Sequence, residues 1–253
     1  MASFAPETLI TIGSFPVTNT VVNTIFVDIV ILSSVYALKK NLSKIPHMFQ
    51  NIIEYLIDSF YKFAESIAGE NAKKIFPFFM SFFLFILISN WSGLIPGSNT
   101  VGFSHRVDGK KEFVPLMRNQ TSDLNLTFAL ALISLVATHV LSIKTIGIKD
   151  YLSRYFSFNP IYLFVGVLEI ISEITKLISL SFRLFGNIYA GEVVLATISS
   201  LFAFLFPIPF MLLEVVVGLV QALVFSILTM AFMSILMTPH HAKNHSSEEV
   251  MHT

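Results

Sequence analysis

Glu169, Glu173, Lys176, Arg183, Glu192 and Glu214 all fall within the last two apolar stretches of this 253-residue chain. A charged group at the centre of a bilayer costs several kcal/mol on insertion scales, so such residues face protein or water and mark an ion path. At ~100° per residue, Glu169, Glu173, Lys176, Arg183 and Asn187 fall within about an 80° arc of one helix face. Ser172, Thr175 and Ser179 lie beside that stripe and supply hydroxyls that pass or hold hydrogen bonds. Glu192 projects about 140° from Glu169 on the same ideal wheel. On the next helix Glu214 and Gln221 are seven residues apart and share a face. Carboxylates and an arginine on separate surfaces point to separate water paths and not to one ion-paired cluster.

Plainer roles compete for each residue. Arg183 has Glu173 or Glu192 as partners for a structural ion pair, and Glu169, Glu173 and Lys176 suit a headgroup interface, where long side chains snorkel cheaply. Asp28 suits pairing with another chain. His139 reads as a satisfied packing histidine and not a ligand, and His240, His241, His245 and His252, though they resemble a metal-binding tract, as part of a solvated tail. Asn41-Leu42-Ser43 and Asn119-Gln120-Thr121 match glycosylation sequons, a pattern short enough to arise by chance.

The elements that carry these residues follow from composition. The chain is 54% hydrophobic and 13% charged, with mean hydropathy +0.74, whereas soluble domains carry about 25% charged residues. This is the composition of a membrane protein. Its 16 basic and 16 acidic residues leave no net charge for broad nucleic-acid binding, and cysteine is absent, which excludes thiolate chemistry. No Lys or Arg precedes Lys39, so no basic leader is expected and the chain is read as mature. Gly97 and Gly102 have phosphate-loop spacing, but Phe103 stands where the lysine belongs, so any nucleotide chemistry falls to a partner.

Uncharged or nearly uncharged runs predict spans over 21–38, 75–95 and 124–143, each long enough to cross most of a ~30 Å hydrocarbon core. Between the first two, Phe49, Ile52, Ile53, Leu56, Ile57, Phe60 and Phe63 alternate with a stripe of Glu54, Asp58, Lys62 and Glu65. That pattern predicts an amphipathic helix over 45–68, lying on the membrane surface or docked on a partner subunit, with Gly69 as its stop. After Asn159-Pro160 no turn signal appears until Pro207-Ile208-Pro209, so a helix over 160–206 would measure ~69 Å and must tilt steeply or break, with Gly186-Asn187 and Gly191 as candidate breaks. A last helix over 209–237 leads to a polar tail, 239–253. We read one membrane domain with no internal repeat. Nine basic residues in 38–74 and 144–159, against four in 96–123, predict an amino terminus outside and a cytoplasmic carboxyl terminus.

The stretch Ser179-Leu180-Ser181-Phe182-Arg183-Leu184-Phe185-Gly186-Asn187-Ile188-Tyr189-Ala190-Gly191-Glu192 closely resembles the signature of subunit a of the F-type ATP synthase. Ser122-Asp123-Leu124-Asn125-Leu126-Thr127, Ile45-Pro46-His47-Met48-Phe49-Gln50 and Gln221-Ala222-Leu223-Val224-Phe225 join it in matching order, and Glu192 favours the bacterial type. The resemblance implies an all-α membrane protein of about five membrane helices plus the surface helix, the last two forming a strongly tilted hairpin against a ring of subunit c. It implies that Arg183 faces the ring and blocks direct leakage between two offset half-channels, a task suited to a side chain that stays charged at accessible pH. It further implies an outer half-channel lined by Glu192, Glu214, Gln221 and Asn187, and an inner one with Glu169, Glu173 and Ser179 as candidates. The implied partners are the c ring, the subunit b peripheral stalk, other synthase subunits and the bilayer of a bacterial plasma membrane. No catalytic residue, metal or cofactor is expected, and the subunit is not an enzyme alone.

Two positions depart from the family pattern. Relatives often set a histidine against a glutamate in the outer channel, but here both positions are acids, which would share a proton if adjacent. Leu177 follows Lys176 where many relatives carry proline, so a kink there is not expected. A secondary transporter and a structural scaffold are the rival classes; the absence of a repeat argues against the first.

Overall fold

The computed structural model describes residues 8–12, 15–43, 47–95, 102–107, 110–115, 118–155, 160–201 and 206–238. The start of the expected surface helix at Ile45-Pro46, the connection 202–205 and the histidine-bearing tail from 239 lie outside them.

Among the described residues seven α-helices carry the fold: α1 (Asn19–Lys40), α2 (Met48–Ala68), α3 (Ala72–Ser92), α4 (Leu124–Ile146), the short α5 (Ile148–Tyr155), α6 (Pro160–Leu201) and α7 (Pro207–Leu236). The stretches Asn19–Lys40, Met48–Ser92, Leu124–Ile146 and Pro207–Leu236 are long and apolar enough to cross a membrane. The chain is an all-α membrane protein. α6 is as long as two ordinary spans, 42 residues, and it runs without a break through Gly186 and Gly191. Leu177 continues the helix and packs against the core.

Two hairpins lie in segments that carried no strand expectation: β1 (Thr8–Ile12) with β2 (Phe15–Thr18), and β3 (Gly102–Val107) with β4 (Lys110–Pro115). Val107 pairs with Lys110, leaving two residues between the strands. Their identities, Asp108-Gly109, are a strong short hairpin signal, a visible cue that counting only the basic residues of 96–123 left unused.

One apolar core joins Phe82, Phe83 and Ile86 of α3, Leu130 and Ala131 of α4, Leu184 and Ile188 of α6, and Ala222 and Phe225 of α7. A second brings Ala64 and Ala68 of α2 against Ile75 and Phe79 of α3, Met230 and Met233 of α7, and Met237 just after it. Small residues let α2 approach closely, and Phe60 reaches Phe79 and Phe83 at ring separations of 5.8 and 5.1 Å. Ile53 is half-buried, and the other stripe residues stay uncovered: Phe49, Ile52, Leu56, Ile57 and Phe63 are exposed, with Met48 and Tyr55. Opposite them Lys62 pairs with Asp58 at 2.8 Å.

The Ser122-Asp123-Leu124-Asn125-Leu126-Thr127 segment ties α4 to α1 and α6. Asp123 caps α4 by accepting from the Asn125 amide at 2.9 Å and accepts from the Thr20 hydroxyl of α1 at 3.2 Å. Thr127 meets Ser181 of α6 at 3.3 Å. Asn119, the first residue of the second sequon, is buried and takes hydrogen bonds from Thr121, so it is not presented for glycosylation.

Candidate functional site

α6 and α7 pack as an antiparallel pair, set by two contacts far apart along them. Near the closed end a Cβ added at Gly191 would lie 2.9 Å from Oε1 of Glu214; towards the open end Nζ of Lys176 sits 4.7 Å above the Phe232 ring. Pro160 opens α6 where a missing amide is harmless, and Pro207 and Pro209 do the same for α7. The pair divides the predicted ionisable residues into three places.

At the closed end Glu214 is buried and Glu192 half-buried, with the two carboxylates within electrostatic reach of each other. Among the described residues Oε2 of each is buried without a hydrogen-bond partner. Two acids so placed can hold a proton between them, or take water that passes one on. Gly191 serves close packing here, not a helix break: its missing side chain is the space Glu214 occupies. Gln221 is half-buried two turns further along α7.

The middle belongs to Arg183, which is exposed, as is Asn187. Among the described residues Arg183 makes no ion pair, so the structural pairing with Glu173 or Glu192 does not form. It lines a cavity of ≈ 420 Å³ with Ser172, Thr175, Lys176 and Ser179 of α6 and Leu228 and Phe232 of α7.

At the open end Glu169 and Glu173, two members of the single stripe read from the sequence, turn away from that cavity, while Lys176 stays on it. Glu169 pairs with Nε of Arg154 on α5 at 3.4 Å. Glu173 is buried, 3.3 Å from Lys176 through Oε1 and 3.6 Å from Nε2 of His139 on α4 through Oε2. His139 is thus a satisfied histidine within the packed helices. Its Nδ1 lies 2.7 Å from the Tyr151 hydroxyl of α5, which donates to Tyr155 at 3.5 Å. Burial first, and then the Tyr151 hydrogen bond, hold the Tyr155 phenol above its ordinary pKa, so it stays protonated. Arg154 also donates to the carbonyls of Leu236, Ile235 and Thr238 at 3.3 to 3.5 Å, capping the end of α7.

Sequence reasoning missed Arg154 and Tyr151 as members of this cluster, since α5 lies within the charged 144–159 connection and how it folds against α6 depends on contacts between elements. It also missed a buried polar seam beside the closed end. The Asn90 amide donates to the Gly218 carbonyl at 2.9 Å and its oxygen accepts from Thr121 at 2.7 Å; Gln120 donates to Ser89, and Asn23 reaches Ser92 and the Arg118 carbonyl at 3.1 and 2.9 Å. The clue was available: Asn23, Asn90 and Gln120 are amides in or beside apolar runs. Asp28, by contrast, is exposed on α1. No group of three or more His, Asp or Glu side chains that could hold a metal ion occurs among the described residues.

The ATP synthase A chain family matches residues 20–234. The chain is similar to ATP synthase subunit a of Moorella thermoacetica, with 32% identity over 234 residues, covering 92% of this chain and 97% of that protein.

Proposed function

This chain belongs to the ATP synthase A chain family, and we propose that it is the proton-translocating stator subunit of an F-type synthase membrane sector, not catalytic by itself. Two offset half-channels load and unload a subunit c ring that turns past α6 and α7. Glu192, Glu214, Gln221 and Asn187 line the outer path; Glu169, Glu173 and Ser179 belong to the inner one. The ring bears on the face where Arg183 and Asn187 are exposed, the exposed apolar side of α2 meets the subunit b stalk or lipid, and the amino terminus lies outside with the carboxyl terminus in the cytoplasm.

The observation that carries this reading is the station of Arg183. It lies nine residues before Glu192 and ten after Glu173, about 14 and 15 Å along the helix at 1.5 Å per residue. An exposed guanidinium thus stands midway between two separate carboxylate clusters. A permanent cation there attracts an ionised ring carboxylate and repels a free proton, which forces transfer through the ring and not directly between the paths.

The test is ATP-driven acidification of inverted membrane vesicles containing the complex with Arg183→Ala, with assembly checked by co-purification. Pumping is expected to vanish while assembly survives. Persisting pumping overturns the reading.

A further inference from the structure

We propose that His139 is a further proton-carrying residue of the inner path, passing protons between the Tyr151 side and the Glu173 carboxylate. The inference rests on the stator reading above and deepens it.

Three elements converge on this imidazole. α4 supplies the ring, α5 a hydroxyl at 2.7 Å from Nδ1, and α6 a carboxylate oxygen at 3.6 Å from Nε2. A packing histidine needs one partner for its one N–H; here each nitrogen faces a group able to give or take a proton. The His139 side chain is 26% exposed and that of Glu173 9%, so the chain of groups runs from a wetter to a drier position. From Glu173 it continues through Lys176, 3.3 Å from the other carboxylate oxygen, into the cavity that Lys176, Ser179 and Arg183 line. The other titratable groups facing this cluster are Tyr155 and the Arg154–Glu169 pair. Arg154 is bound to Glu169 and to the end of α7.

The transfer balances. A proton from water reaching Nδ1, or the Tyr151 proton once that hydroxyl turns from Tyr155 to Nδ1 and then regains one from water, makes the imidazolium. Nε2 then releases its proton to Oε2 of Glu173, leaving a neutral ring and a neutral carboxylic acid. Rotation of the ring, which brings the remaining N–H round towards Glu173, restores the starting tautomer. The step requires the Nε2 to Oε2 distance to close to about 3 Å, within the tightening that proton-transfer geometries undergo on function.

The test uses the assembled complex in inverted vesicles. His139→Gln keeps hydrogen-bonding capacity and removes proton carriage; His139→Gly opens a space for imidazole. Pumping by His139→Gln is expected to fall by roughly tenfold or more, and millimolar imidazole should raise pumping by His139→Gly without affecting the parent. A parental rate in His139→Gln overturns the proposal, as does a slow His139→Gly complex that imidazole leaves unchanged. Should His139→Gly not assemble, His139→Gln decides alone. If Arg183→Ala also pumps, the stator reading itself has failed; if Arg183→Ala is silent and His139→Gln is normal, only the His139 relay has.

Discussion

Glu214 of α7 rests its carboxylate on the backbone of Gly191 in α6, with Oε1 only 2.9 Å from where a Cβ would stand. The contact puts that acid beside Glu192 and fixes how deeply the two helices approach.

Gly191→Ala places a methyl where Glu214 now lies. The carboxylate end is flexible, so the helix pair should survive while the acid is displaced. We expect assembly to persist and ATP-driven pumping to fall several-fold; an unchanged rate would show that the position of Glu214 is not critical.

Glu192 and Glu214 each keep a buried oxygen without a partner among the described residues, so one acid alone retains a site for a proton. Glu192→Gln and Glu214→Gln should each leave measurable pumping, and the double variant essentially none. Vesicle acidification compares the three; a double variant no worse than the weaker single would contradict the shared role.

Arg154 ties α5 to α6 through Glu169 and to the end of α7 through three carbonyls. Removing it in Arg154→Ala strands a carboxylate and exposes the helix end, a loss of about 2–3 kcal/mol. Thermal denaturation of the purified subunit in detergent should show a clearly lowered midpoint. Lys62→Ala is the contrast: its pair with Asp58 lies on an exposed face, and its loss should leave the midpoint unchanged.

Asn90 bridges α3, α7 and Thr121 in a buried position. Asn90→Leu leaves the Thr121 hydroxyl without one of its two acceptors and removes the donor to the Gly218 carbonyl, at a cost of about 2 kcal/mol. Gly218→Val should be at least as damaging, because even a Cβ there would lie 3.0 Å from that of Asn90. Denaturation midpoints of the two variants test both statements.

Much of this protein is legible along the chain. Apolar runs fixed by a ~30 Å core mark the membrane stretches, the charge stripe of Glu54, Asp58, Lys62 and Glu65 marks α2 as amphipathic, and Arg183 is conspicuous because a charge in an apolar run is costly. These are properties of single segments, set by local composition and helical period. What the chain order could not decide is which side chains meet. The wheel put Glu169, Glu173, Lys176 and Arg183 on one stripe, yet packing of α4 and α5 draws Glu169 to Arg154 and Glu173 to His139, while Lys176 and Arg183 stay on the cavity. The His139 environment depends on α5 folding back, and the Glu192–Glu214 pairing on a glycine 23 residues from its partner acid. Such contacts arise from side-chain volumes and hydrogen bonds between elements distant in sequence, and these exist only once the helices have packed.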